Sequence, residues 1–184
     1  MKKFKRVLAL AMAVILSVPT IITTGMGTVP VKAAGDTVEL TVSGDSAEYA
    51  GYETHKMYAG GNYAYCIQPS KKTPKSGTFE KHYDVENYMA YAGDTSAAEN
   101  LRHIAYYCWG APGFDAKYFP ATWYDGSAMN DDRYIALSHI ILADAATYEG
   151  AEAMHGCNSS FKNWAYQNVL GFNTAGELIN ENAP

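Results

Sequence analysis

Apolar and polar residues alternate where the folded part of the chain begins. Val38, Leu40 and Val42 are separated by Glu39 and Thr41, the period of a half-buried strand. Tyr52 to Ala59 reads as a second strand, and Gly60-Gly61 supplies the positive φ angles of a tight hairpin. Asn62 to Gln68 is the returning strand. It sends Tyr63, Tyr65 and Ile67 to one face and Ala64, Cys66 and Gln68 to the other. Pro69 stops that ladder, and Ser70 to Thr78 reads as a polar, basic loop. Beyond Asp84 the period changes. Val85 to Tyr91 reads as a short helix. A second helix follows caps at Asp94-Thr95-Ser96 and carries Leu101, Ile104, Ala105 and Cys108 on one stripe, until Gly110 to Gly113 end it. Asn130-Asp131-Asp132 cap the strongest helix, Arg133 to Tyr148, whose stripe holds Ile135, His139 and Leu142. Ser159-Ser160 cap a last helix that Gly171 closes. Strands first and helices after them predict an α+β fold, a β-sandwich or barrel with a helical subdomain.

The first 34 residues follow a different logic. A basic start from Met1 to Arg6 precedes an apolar run from Val7 to Val18, which breaks at Pro19. Val31-Lys32-Ala33-Ala34 offers a small-residue cleavage site. This is the pattern of a secretory signal peptide, and the run is too short and too soon broken for a membrane span. Residues 35–171 then form one module, and 172–184 a short tail or the start of a linker. The leader holds five cations and no acid, so its removal takes the net charge from −5 to −10. So acidic a chain is unsuited to nucleic acid, whose phosphates need clustered cations. No second apolar span follows the leader. The expectation is a secreted or cell-surface protein, or the front of a longer one.

Export bears on the 3 cysteines. Outside the cytosol disulfides persist, and an odd count leaves at least one thiol unpaired. Cys108 and Cys157 sit at the edges of two helices and are the expected disulfide. Cys66 is then a buried apolar filler, a thiol activated by a neighbouring imidazole such as His139, or half of a thioester with a glutamine. The chain has only two glutamines, Gln68 and Gln167. His103, His139 and His155 lack the close spacing of a metal site, so neither metal nor cofactor is expected. The 15 tyrosines suit half-buried strands. The loop holding Tyr118, Trp123 and Tyr124 is the candidate face for a glycan or protein partner.

Two short motifs carry a resemblance. Tyr65-Cys66-Ile67-Gln68-Pro69 at a strand end, with Tyr134 to Leu142 on a later helix, resembles the thioester (TQXA) domains of Gram-positive surface adhesins. The likeness runs from about Tyr52 to Leu170. It implies a mixed fold at the tip of a wall-anchored adhesin, and a shielded bond between the Cys66 thiol and a glutamine side chain that a host amine attacks. It implies a binding module rather than a turnover enzyme. Where the family motif reads Thr-Gln, this chain reads Ser138-His139, and imidazole has no acyl carbon. Gln68 and Gln167 are therefore the remaining acyl-donor candidates.

Overall fold

The computed structural model describes residues 13–14, 36–82 and 95–171. Five antiparallel strands form one sheet: β1 (Ala13–Val14), β2 (Thr37–Tyr49), β3 (Tyr52–Ala59), β4 (Asn62–Cys66) and β5 (Gly77–Glu80), in the order β1-β4-β3-β2-β5. Three α-helices follow: α1 (Thr95–Tyr107), α2 (Asp131–Thr147) and α3 (Ser159–Asn168). The α+β expectation holds. The short helix expected over Val85 to Tyr91 lies outside the described residues.

Three strand expectations need correction. β2 continues past Val42 to Tyr49, because a bulge absorbs Ser43-Gly44-Asp45. Val42 pairs with Met57 and Ser46 with His55, so three residues of β2 stand against Lys56 alone. Ser-Gly-Asp looks like a turn, and the turn never closes. β4 ends at Cys66 rather than Gln68. Finally, the loop expected over Ser70 to Thr78 stops short of Gly77, where β5 begins and pairs with the first half of β2, Val38 opposite Phe79.

Both hairpins turn on residues with positive φ. Gly60 and Gly61 have φ of 57° and 86°. Ala50 and Gly51 have φ of 53° and 92°. The left-handed region is costly for Ala50. Its carbonyl is held from outside the hairpin by the Asn158 backbone N–H at 3.1 Å.

α2 is the element around which the rest packs. Asn130 caps it, its side chain accepting from the Arg133 N–H at 3.0 Å. Its residues Ile135 to Ala143 are all buried. The largest core cluster joins Ala136, Leu137, Ile140 and Ala143 of α2 to Tyr49, Trp123, Met154 and Phe161. A second joins Leu142 and Ala146 to Ile67 and to Leu101, Ala105 and Cys108. A third lies within the sheet, around Leu40, Met57 and Ala64. α3 is capped by Asn158, one residue earlier than expected, with its side chain accepting from the Phe161 N–H at 2.9 Å.

Candidate functional site

Cys66 is the last residue of β4, where the sheet meets the helices. Its side chain is half-buried and packs on the Leu40–Met57–Ala64 cluster. The chain beyond it is tied down at two points. Thr147 near the end of α2 donates its hydroxyl to the Ile67 carbonyl at 2.7 Å. The Ser70 N–H donates to the Glu149 carboxylate at 3.0 Å. Between them the Gln68 carbonyl accepts from the Lys71 N–H at 2.9 Å, closing a turn across Pro69. The cysteine is therefore fixed by its neighbours rather than carried on a free loop.

His139 lies in the middle of α2 and is 5% exposed. Among the described residues neither ring nitrogen has a hydrogen-bond partner. Burial pushes the ring down to a pKa of about 4, and the nearby Cys66 backbone opposes that only in part. The two residues expected to meet are thus neighbours, but the contact is from ring to backbone. Cys66 is set by other groups: burial pushes its thiol up, the Gln68 backbone N–H pulls it back, and the Glu149 carboxylate raises it further. At neutral pH the imidazole carries no charge and the thiol keeps its proton. A thiolate–imidazolium nucleophile needs the opposite shifts in both groups.

Ser138, next along α2, joins the helical walls. It accepts the Trp109 N–H at 2.9 Å, and Tyr65 on β4 donates to the Trp109 carbonyl at 2.7 Å. The sequence placed Ser138 only as the neighbour of His139 in the motif, and gave no sign of Thr147 or Glu149. Each acts through a bond to a residue 29 to 80 positions away, and no local pattern announces it.

The other candidates separate. Gln68 is half-buried two residues beyond Cys66. Gln167 is exposed on α3, whose buried face belongs to the Phe161 cluster, a cluster without any residue of β4. The expected disulfide is not formed, and all three cysteines are free. Cys108 packs in the second cluster and Cys157 in the first, where its thiol donates to the Tyr49 carbonyl at 3.6 Å. Burial raises Cys108 to about 12 and Cys157 to about 11, so both behave as small apolar residues.

The aromatic loop is also corrected. Trp123 is 4% exposed, packed on Phe161 at 5.0 Å between ring centroids and covered by the Arg133 guanidinium at 5.2 Å. Tyr124 is half-buried and accepts from the Asn158 amide at 3.1 Å. Only Tyr118 reaches the surface, and its ring meets Tyr107, which meets Tyr106. These three tyrosines are exposed by 37 to 44%. Tyr106 and Tyr107 lie on α1 outside its apolar stripe, a signal the sequence did contain. His103 and His155 are exposed and far apart in the chain, and no cluster of three metal-ligating side chains occurs among the described residues.

A sheet whose strand ends in a half-buried cysteine against a buried helix defines an α+β domain with its site at the seam. The family model described as a thioester domain matches residues 37–174. The chain belongs to the thioester-domain family. No curated protein and no solved structure matches it. Thioester domains occur in cell-surface proteins. No helix among the described residues is long and apolar enough to cross a membrane.

Proposed function

We propose that the chain is an exported adhesin module of the cell surface that holds its partner reversibly. Residues 1–34 act as the leader, and 172–184 begin the connection to a longer, wall-anchored protein. The observation that carries the reading is His139. In a family named for a cysteine–glutamine bond, the side chain beside Cys66 is a buried neutral imidazole with no acyl carbon. Gln167 is exposed on α3, whose buried face packs in the Phe161 cluster. Gln68 follows Cys66 by two residues, past the end of β4, and its carbonyl is held in the turn across Pro69. Its backbone N–H already serves the sulfur. Cys66 is then a thiol, and the module binds rather than turns over substrate.

The partner is a protein or glycan on a host or neighbouring surface. The exposed Tyr106–Tyr107–Tyr118 cluster favours a glycan as the second reading, because tyrosine rings stack on sugar faces while their hydroxyls stay wet. Binding of the exported protein to cells, before and after methylamine treatment, tests the proposal. The expected result is equal binding that boiling in detergent reverses completely. A detergent-resistant adduct, blocked by methylamine, would overturn it.

A further inference from the structure

β4 is an edge strand unless β1 covers it. In the sheet order β1-β4-β3-β2-β5 only Ala13–Val14, among the described residues, lies outside β4, antiparallel, with Ala13 opposite Cys66 and Val14 opposite Tyr65. Those two residues belong to the apolar run of the leader. Their departure leaves a row of backbone N–H and C=O groups, ending at Cys66, with no strand partner on that side among the described residues.

That edge borders a cleft. It lies between β4 and α1, opens to solvent, and holds about 60 Å³. Tyr63, Tyr65, Trp109 and Pro112 form its walls, and Leu101 and Leu142 line it further in. No charged side chain lines it among the described residues. The walls are fixed. The rings of Tyr63 and Tyr65 lie 6.3 Å apart and nearly parallel, and Tyr65 is bonded to the Trp109 carbonyl. Gly110, at φ 80°, comes so close to Tyr63 that a Cβ there would sit 2.7 Å from its ring. The cleft thus keeps its shape without an occupant.

We propose that the β4 edge and this cleft form a strand-addition site for an extended, apolar segment of a partner polypeptide. The inference rests on the reading that the leader is removed on export. The occupant's character comes from what sits there in the full chain: small and β-branched apolar residues in extended conformation, from a segment with a cationic start. A strand added to β4 makes main-chain hydrogen bonds along the edge, and every second side chain faces the cleft side. The lining asks for apolar side chains. The mature chain's net charge of −10, once five cations have left with residues 1–34, asks for cationic flanks. The partner backbone then passes directly beside Cys66.

The test uses the full chain with a protease site built into 20–34, so that the leader is cut away in vitro. Amide exchange is followed at Tyr65 and Cys66, one of which directs its N–H to the open edge. That amide is expected to be protected before the cut and to exchange after the leader is removed. A peptide of residues 12–17 flanked by lysines should restore the protection. The same peptide N-methylated at Ala13 if Cys66 carries the protected amide, or at Val14 if Tyr65 does, should bind about tenfold more weakly, as should the unmodified peptide to Ala111→Trp, which fills the cleft from its half-buried rim. The proposal is overturned if the edge amide stays protected without peptide, if both peptides bind alike, or if the cut chain dimerises through β4. The intact mass of the exported product decides separately whether the leader is removed.

Discussion

Two stretches of α2 face two different surroundings. Leu137, Ile140 and Ala143 enter the Phe161 cluster, where every group is apolar or, like the Tyr49 hydroxyl on the Ala153 carbonyl at 2.7 Å, has its partner. Ser138 and His139 reach the β4 side, where the His139 ring is buried with neither nitrogen bonded. The first side is what stability alone produces. The second keeps a polar group that costs free energy, and stability gives no reason for it. The difference makes the β4 side the less stable of the two, with the Cys66 backbone facing the His139 ring.

The largest effect belongs to the first side. Phe161→Ala empties the centre of the main cluster, where Tyr49, Trp123, Tyr124 and Trp164 surround the ring. The expected loss is ~3–5 kcal/mol in chemical denaturation. A loss below about 1 kcal/mol would mean that the cluster is not the stabilising side.

The next effect belongs to His139 and depends on pH. Its folded pKa of about 4 lies below the ordinary 6.5. The unfolded chain therefore takes up the proton first as pH falls. Stability from this group is full above pH 6.5 and declines toward pH 4, by ~3 kcal/mol in all. The difference between wild type and His139→Leu, measured in denaturant at several pH values, isolates it. The variant should match or exceed the wild type at pH 7 and gain on it steadily below pH 6.5. A constant difference across that window would refute the buried, neutral imidazole.

A smaller effect sits at the tether. Thr147→Val keeps the shape and removes the hydroxyl that bridges the Ile67 and Ala143 carbonyls. The expected cost is ~1 kcal/mol, with faster amide exchange near Ile67 than near Phe161. Equal exchange changes at both places would show that the strand end and the core open together.

Much of this fold could be read from the chain because its signals are local. The Gly60-Gly61 hairpin, the β3 and β4 strands, and the Asn130 cap each rest on neighbouring residues. β5 was missed because Gly77 to Glu80 follows a run of Lys, Thr and Pro, and only pairing with distant β2 makes it a strand. The disulfide was misjudged for a related reason. Helix-edge placement says nothing about which cluster a cysteine enters, and α2 feeds both. At the site, periodicity turned His139 inward and the motif set it beside Cys66. The direction of the thiol shift was not legible, since burial and Glu149 act only in the folded chain.

The state of Cys66 is the point on which the account turns. Intact mass of the exported protein, purified without reductant and then treated with methylamine, reads it directly. The account predicts the full mass of the chain after leader removal, no methylamine adduct, and three alkylated thiols on unfolding in iodoacetamide, Cys66 among them. A mass short by one ammonia, converted by methylamine to an adduct and abolished in Cys66→Ala, would contradict it and make Gln68 and Gln167 the donors to mutate.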